Sequence, residues 1–198
     1  MIKQIRPALL SVLVFTLLTG FLFPAVITAF AQTVFRGGAN GSLVERDGKV
    51  VGSALIGQNF AAPHYFHPRP SAAGSGYDAS ASSGTNLGPT SKKLIEGDAA
   101  SKFDGIQQLA AAYRRENTLP ANTPLPADAV TRSASGLDPD ISPANADLQA
   151  ARVARARKLS PEQVKALIAQ NTQGRQLGVL GEPRVNVLQL NLALDEAK

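Results

Sequence analysis

The sequence contains no cysteine and no tryptophan, and aromatic residues make up only 6% of it. Without cysteine there is no disulfide framework and no thiol chemistry, which fits a domain that is stable outside the cell without oxidation. Few aromatic rings are available for stacking on bases. The net charge of +5 is also uneven, because Lys3, Arg6 and Arg36 flank one apolar segment. We therefore expect no nucleic-acid partner.

Signature motifs of several enzyme classes are also absent. The chain has no G-x-S-x-G, no Walker A Gly-Lys-Ser/Thr, no C-x-x-C and no H-E-x-x-H sequence. His64 and His67 have H-x-x-H spacing, but no cysteine is available and no third metal ligand is indicated. We expect no metal site and no catalytic residue. The alternative is a membrane-anchored or secreted extracytoplasmic hydrolase that uses these histidines in a triad.

An uncharged run from Pro7 to Phe35 dominates the chain. Its densest part, residues 8–30, exceeds the roughly 20 residues with which a helix crosses a bilayer. Lys3 and Arg6 precede the run without an acid, which favours a cytoplasmic N-terminus. We predict a single-pass protein of the cell (inner) membrane, in contact with membrane lipid. Residues 1–36 form the short N-terminus and the transmembrane helix, and residues 37–198 form a periplasmic or extracellular domain.

A cleaved signal peptide is the alternative for this run, because Ala29-Phe30-Ala31 resembles a cleavage site. The apolar part of a signal peptide has about 7–15 residues, however, and this run is much longer. We therefore expect the helix to be retained. Thr16 and Gly20 lie one helical turn apart, and small residues at that spacing let a neighbouring helix approach closely. Both are predicted partner contacts.

The outer part begins with a predicted β-hairpin. A strand starts at Leu43, Asp47-Gly48 supplies the tight turn, and a second strand runs from Val50 to Ile56. Polar and apolar residues alternate over much of Val185–Leu194, which predicts a closing strand. Together these strands predict a small antiparallel sheet that carries packed helices, an α+β domain.

Three helices are predicted in the outer part. Residues 98–117 carry an amphipathic pattern, and Ser142-Pro143 and Ser160-Pro161 are N-cap signatures of two helices that meet near Leu159. The first of these two ends in the cationic run 152–158. Those cations either complement the helix dipole or bind an anion, a lipid headgroup or an acidic partner.

Two loops are candidates for recognition. Residues 71–91 are rich in serine, glycine and alanine, and form either a flexible surface loop or a structured binding loop. In the loop 133–142, Asp138, Asp140 and Ser142 imitate the first three ligands of a calcium loop. Pro143 and Gln149, however, replace its essential glycine and glutamate. We therefore expect no calcium there. The predicted partner contacts in the two loops are Asn86, Leu87, Gly88, Gly136, Leu137 and Asp138.

Several blocks of sequence carry a resemblance to a known family. They are GSALIGQNF at 52–60, YFHPRPSA at 65–72, NLGPT at 86–90, SASGLDP at 133–139, RVARAR at 152–157, LGE at 180–182 and VNVLQLN at 185–191. With the single N-terminal span, these blocks resemble the C-subunit (KdpC) family of Kdp-type potassium-transporting ATPases over nearly the whole chain. The proline-rich stretch 119–126 is peripheral to the pattern, and Thr85 stands where serine is expected.

The resemblance implies a non-catalytic accessory subunit of an ATP-driven, high-affinity potassium uptake complex. Its implied partners are a catalytic P-type ATPase subunit and a potassium-channel-like subunit, whose assembly and activity it supports. It has no cofactor of its own, and ATP is implied only in a complex with the catalytic subunit, whose ATP affinity the family raises. Gln149 and Arg152 are the candidate nucleotide contacts. Because ATP is cytoplasmic, this role conflicts with the predicted outer domain, and the topology takes precedence.

Overall fold

The computed structural model describes residues 2–197, and of Ile2 only the backbone. Met1 and Lys198, the outer ends of the two predicted parts, lie outside the described residues. The chain divides into two compact units, residues 1–53 and 54–198. The predicted boundary after residue 36 separates the membrane helix from the outer domain, and it stays a prediction.

The described residues form helices linked to two small sheets. The helices are α1 (Ile5–Leu17), α2 (Phe23–Val34), α3 (Arg36–Ala39), α4 (Lys92–Glu96), α5 (Ile106–Glu116), α6 (Ala127–Val130), α7 (Pro143–Arg157), α8 (Pro161–Gln170) and α9 (Val187–Glu196). Short 3-10 turns lie at Ile2–Gln4 and Ala79–Ala81, and a π-helical turn lies at Leu18–Leu22. The strands are β1 (Leu43–Arg46), β2 (Lys49–Ser53), β3 (Asp140–Ile141), β4 (Thr172–Gln173) and β5 (Arg184–Asn186). This mixture confirms the predicted α+β class.

In the first unit, α1, the π-helical turn and α2 form one continuous apolar helix, Ile5–Val34, which is 30 residues long. Its most apolar 18-residue window has a mean hydropathy of 2.3. None of its most apolar window is buried against the rest of the protein. Pro24 cannot donate a hydrogen bond to the Gly20 carbonyl, and the wider π-helical turn lies just before it, where helices accommodate such a defect. The length and composition of this helix fit a single membrane span.

The predicted hairpin is present in the same unit. β1 and β2 pair antiparallel, with Arg46 opposite Lys49. Asp47 and Gly48 form the turn with φ angles of 51° and 73°, as a tight hairpin turn requires. The second strand ends at Ser53, three residues earlier than predicted.

In the second unit, the antiparallel sheet has the order β3-β5-β4. The prediction that the closing strand joins the early hairpin is wrong, because β1 and β2 form a separate two-stranded sheet. The predicted strand Val185–Leu194 is also wrong beyond its start: only Arg184–Asn186 is a strand, and α9 follows at once.

Two signals explain why α9 is a helix. The side chain of Asn186 caps it by accepting a hydrogen bond from the Gln189 N–H at 3.1 Å. Val187, Leu190 and Leu194 are buried, and their spacing of three and four residues is that of one helix face. The alternation of polar and apolar residues resembled a strand because both periods fit so short a segment.

The predicted helix 98–117 begins only at Ile106. Before it, the backbones of Asp98 and Phe103 pair in a tight turn through hydrogen bonds of 2.8 and 2.9 Å. The Asp98 carboxylate accepts a hydrogen bond from the Ser101 hydroxyl at 2.6 Å. The hydrogen bond from the Ser101 hydroxyl, followed by that from the Lys93 ammonium, lowers the pKa of Asp98 to about 2. Such local bonds compete with the helix and delay its start.

Both N-cap predictions are confirmed. The Ser142 hydroxyl accepts from the Asn145 N–H at 3.1 Å, and the Ser160 hydroxyl accepts from the Gln163 N–H at 3.1 Å. α7 ends with Lys158 in the left-handed conformation, at φ 58°. The two helices therefore meet at the predicted position.

The core of the second unit lies among α7, α8, α9 and the three-stranded sheet. It consists of Phe66, Ile141, Ala146, Ala150, Val153, Ala154, Val164, Ile168, Val185, Val187, Leu190 and Leu194. Phe66 is the one member that belongs to neither a helix nor a strand. Its fully buried ring means that the proline-containing segment 63–70 must be held against the helices.

Two buried amide side chains hold that segment. Asn191 in α9 accepts from the Phe66 N–H at 2.8 Å and donates to the Phe66 carbonyl at 3.0 Å. Gln149 in α7 accepts from the His67 N–H at 2.7 Å and donates to the His67 carbonyl at 3.0 Å. Both amides are about 1% exposed. They therefore satisfy backbone groups that no strand or helix satisfies.

Arg152 completes this set, which we call the buried clamp (Gln149, Arg152 and Asn191). Its guanidinium donates to the Pro63 and Tyr65 carbonyls at 2.6 and 2.9 Å. It also donates to the Gln149 side-chain oxygen at 2.7 Å. Burial lowers the pKa of Arg152 below its usual value, but an arginine stays charged in proteins. A buried charge with this many acceptors is costly to remove.

We predict that Arg152→Met destabilises the second unit by about 3–5 kcal/mol, because it leaves buried acceptors without their hydrogen-bond donor. The melting temperature of the full chain in detergent, followed by circular dichroism, should fall by roughly 6–20 °C. Arg155→Met is the matched control on the same helix, because Arg155 is exposed and makes one hydrogen bond of 3.5 Å. Equal, small shifts for both variants would contradict the clamp.

Candidate functional site

The predicted contact Gly136 lies inside the second unit, where two loops pack together. Its φ angle is 69°, and a Cβ atom there would lie 2.7 Å from the Ala73 Cβ. The Ser71 hydroxyl donates to the Gly136 carbonyl at 2.7 Å, and the Ser83 N–H donates to the Ser135 carbonyl at 2.9 Å. The serine-rich stretch is therefore structured on this side, and Gly136 is required for close packing.

Asp138 is also engaged within the domain. Its carboxylate accepts from the Arg69 guanidinium at 2.9 Å and from the Asp140 N–H at 3.0 Å. The Tyr77 hydroxyl donates to the Arg69 carbonyl, and burial followed by the charge of Asp138 raises the pKa of Tyr77. The Leu137 carbonyl accepts from the Gly57 N–H at 2.8 Å. Leu137 and Asp138 thus brace the loops, and both remain half-exposed.

The turn Asn86-Leu87-Gly88 lies on the surface of the second unit. Asn86 and Gly88 are exposed, and Leu87 is half-buried. Asn86 has a φ of 53°, which asparagine tolerates well, and the Gly88 carbonyl accepts from the Ser91 N–H at 3.0 Å. The turn leads directly into α4. Its surface is accessible, and its role as a partner contact stays a prediction.

The two candidate nucleotide contacts, Gln149 and Arg152, are the buried residues of the clamp described above. Their polar atoms bind the segment 63–67, so a phosphate would have to compete with those backbone groups. Arg152 also borders a surface cleft that Glu116 and Arg155 share. The nucleotide role stays a prediction.

At the cationic end of α7, the Arg157 side chain binds groups within the second unit. Arg157 donates to the His64 carbonyl at 2.7 Å and to the Asp195 carboxylate at 2.7 Å. Its guanidinium lies 5.0 Å from the centre of the Tyr65 ring. Arg155 and Lys158 are exposed, and the alternative of anion or lipid binding remains open for them.

The two histidines lie beside the same segment but do not converge. The centroids of the His64 and Tyr65 rings lie 4.3 Å apart. His67 Nδ1 lies 2.7 Å from a Glu116 carboxylate oxygen, and this hydrogen bond lowers the pKa of Glu116. Among residues 2–197 no group of three histidine, cysteine, aspartate or glutamate side chains is arranged to hold a metal ion.

His67 and Glu116 also line a surface cleft of about 460 Å³, with Arg69, Tyr77 and Tyr113 among its other walls. Burial raises the pKa of the Tyr113 hydroxyl, which donates to the Asn145 side-chain oxygen at 2.7 Å. His67 and Glu116 are paired across this cleft, whereas the Arg69 guanidinium pairs with Asp138 outside it and leaves its buried Nε without a hydrogen-bond partner among the described residues. The cleft is therefore a shallow surface depression whose walls are held by hydrogen bonds within the unit.

In the first unit, Thr16 and Gly20 lie on the exposed surface of the long helix. A Cβ atom added at Gly20 would meet only the Thr16 methyl group, at 4.0 Å. The pair therefore forms an open notch, and Gly20 also lies within the π-helical turn. Its role as a helix contact stays a prediction.

Two residues of the clamp, Asn191 and Arg152, were not predicted in their structural roles. Asn191 was assigned to a strand, although a polar residue within the apolar stripe of α9 is the signal for a buried hydrogen-bond partner. Arg152 was predicted as part of the cationic end of the helix and, with Gln149, as a nucleotide contact, and not as a buried hydrogen-bond donor to the segment 63–67. Asn145, Gln149 and Arg152 are spaced four and three residues apart, so all three lie on one face of α7.

Comparisons with known proteins agree with this organisation. The family model described as "KdpC: K+-transporting ATPase, c chain" matches residues 5–196. The "Potassium-transporting ATPase KdpC subunit" of Mycobacterium tuberculosis is 56% identical over 193 residues, which cover 98% of each chain. The protein of the same name from Caulobacter vibrioides is 57% identical over 196 residues, 98% of this chain and 94% of that one.

A third relative, from Gemmatimonas aurantiaca, carries the same name and is 56% identical over 196 residues, 98% of this chain. These comparisons do not support the alternative of an extracytoplasmic hydrolase. They extend over the apolar helix as well as the second unit, so both units are part of the match. The chain belongs to the KdpC family, the C chains of K+-transporting ATPases.

Proposed function

We propose that this chain acts by assembly, as the accessory subunit of a Kdp-type potassium-transporting ATPase. Its partners are the catalytic P-type ATPase subunit and the potassium-channel-like subunit. The observation that carries the proposal is the long apolar helix, which buries none of its most apolar window within its own chain. Several charged side chains of the second unit, including His67 with Glu116 and Arg69 with Asp138, are paired within it.

The helix is retained as a single membrane span with its N-terminus in the cytoplasm. Lys3 and Arg6 support this orientation, because basic residues next to a span favour the cytoplasmic side. Residues 37–198 then lie on the outer side of the membrane. In that position cytoplasmic ATP cannot reach Gln149 and Arg152, and these two residues serve the fold. Nucleotide is bound only in a complex with the catalytic subunit.

The absence of cysteine allows a clean test of orientation by labelling single cysteines. We expect Ala151→Cys, on the exposed face of α7, to react with a membrane-impermeant maleimide in spheroplasts. Gln4→Cys, at the exposed start of the helix, should react only after permeabilisation. The reverse pattern would overturn the outer placement. Loss of the position-4 label from the mature protein, with a mass that indicates cleavage after Ala31, would overturn the anchor.

Packing of the span against a neighbouring helix depends on the Thr16–Gly20 notch. Without a hydrophobic driving force between helices in lipid, close backbone approach at small residues provides the packing energy. The open space at Gly20 is compatible with such a contact, because an added Cβ would meet, beyond the adjacent helix backbone, only the Thr16 methyl at 4.0 Å.

We predict that Gly20→Leu fills this notch and weakens association with the partner subunits. Loss of a contact of about 1–2 kcal/mol corresponds to an affinity reduced on the order of tenfold. Recovery of both partner subunits with tagged full-length chain, quantified after detergent extraction, measures the effect. Ala25→Leu, a comparable enlargement elsewhere on the span, is the control. Equal recovery for both variants would reject the notch as a contact.

A further inference from the structure

The apolar helix Ile5–Val34 has a gap in its backbone hydrogen bonds at Thr19. A helical carbonyl accepts from the N–H four residues later, or five residues later in a π-helical turn. For Thr19 these donors would come from positions 23 and 24. The Phe23 N–H donates to the Leu18 carbonyl instead, and Pro24 has no N–H. In the described part of the chain, the Thr19 carbonyl therefore has neither of its regular helical donors.

The side chains of the same turn do not fill this gap. A hydroxyl group close to a proline can satisfy a backbone carbonyl that the proline leaves free. The Thr19 hydroxyl is used elsewhere, because it donates to the Phe15 carbonyl at 2.7 Å. The large side chains of the turn are apolar and carry no donor: Leu18, Phe21, Leu22 and Phe23. The missing donor must therefore come from outside this turn.

The position of Thr19 along the helix limits which donors can reach it. Thr19 and Gly20 are the two central residues of the 30 in Ile5–Val34. At 1.5 Å per residue, they lie roughly 20 Å from either end of the helix. Lipid headgroups and bulk water are out of reach at that depth when the helix spans the bilayer. Because an unpaired carbonyl in hydrocarbon is costly, a protein segment at the same depth is the suitable donor.

The helix surface beside the free carbonyl is open to such a segment. Gly20 forms the other half of the same peptide group and has no side chain. A Cβ atom added there would meet, beyond the adjacent helix backbone, only the Thr16 methyl at 4.0 Å. None of the most apolar window of the helix is buried within its own chain. A neighbouring helix can therefore bring a polar side chain to the Thr19–Gly20 peptide group.

We propose that the Thr19 carbonyl accepts a hydrogen bond from a hydroxyl or carboxamide side chain on a transmembrane helix of a partner subunit. This inference rests on the proposed function, because it specifies the chemistry of one helix contact in that complex. Hydroxyl and carboxamide side chains are common hydrogen-bond partners between helices in membranes. A charged donor would carry a large cost at the bilayer centre, and the apolar turn offers it no opposite charge. The contact adds a polar requirement to the packing of small residues at Thr16 and Gly20.

The sequence allows this carbonyl to be observed alone, because the dipeptide Thr-Gly occurs only at Thr19–Gly20. Cell-free synthesis of the full chain with carbonyl-¹³C threonine and ¹⁵N-glycine places a directly bonded ¹³C–¹⁵N pair at that peptide group alone. Solid-state NMR in lipid, filtered through this pair, then reports the Thr19 carbonyl. We expect its resonance to move downfield when the chain is assembled with unlabelled partner subunits. The variant Pro24→Ala, which regains the backbone N–H, supplies the resonance position of a carbonyl bonded within the helix.

Two results of this measurement would overturn the inference. One is a resonance that stays in place on assembly. The other is a resonance that already lies at the bonded position in the isolated parent chain, because water or a second copy of the chain would then be the donor.

The same variant tests whether the hydrogen bond contributes to association. We expect Pro24→Ala to reduce the affinity for the partner subunits about tenfold, because the regular helix takes up the acceptor that the partner needs. Pro7→Ala makes the same change at an exposed residue near the start of the helix and should bind like the parent. Equal affinity of Pro24→Ala and the parent would reject the contact. Weaker binding of Pro24→Ala without a carbonyl shift in the parent would also reject it, because a change of helix shape would then explain the loss.

Assembly of the parent chain separates this inference from the proposed function. If the tagged parent chain does not recover the partner subunits, the proposed function fails. If the parent assembles and the Thr19 resonance does not move, only the hydrogen-bond assignment fails.

Discussion

The fold of the second unit depends on side-chain hydrogen bonds to the backbone of one proline-containing segment. Asn191 and Gln149 each pair with the N–H and C=O of one residue, Phe66 or His67. Arg152 binds carbonyls just before them. These side chains make the backbone hydrogen bonds that a neighbouring strand would otherwise make. They thereby hold the segment so that the Phe66 ring packs in the core. Because these donors and acceptors are buried, removal of one partner leaves the others without a hydrogen bond and away from water.

This arrangement explains how a chain with abundant polar side chains can serve as an accessory subunit. The groups that would suggest chemistry, including His67, Glu116 and Asp138, are paired with one another or with the backbone. This internal bonding gives the domain fixed surfaces, and the apolar helix buries none of its most apolar window within the chain.

The sequence predicted the parts of the structure that depend on local chemistry. The apolar helix, the Asp47-Gly48 turn and the caps at Ser142 and Ser160 each follow from neighbouring residues. α9 was mistaken for a strand because its apolar spacing fits two periods over ten residues. The clamp could not be predicted, since it joins residues that are far apart in sequence, such as Phe66 and Asn191. The roles of Gly136 and Asp138 depend on the same kind of distant contact.

The most direct measurement of the central claim is amide hydrogen exchange of the full chain at Phe66 and His67. Their N–H groups are bonded to buried side-chain oxygens at 2.8 and 2.7 Å, although the segment is neither helix nor strand. We predict protection at both amides comparable to that in the middle of α7, because opening them requires loss of the core. Exchange at the rate of an exposed loop would contradict the account.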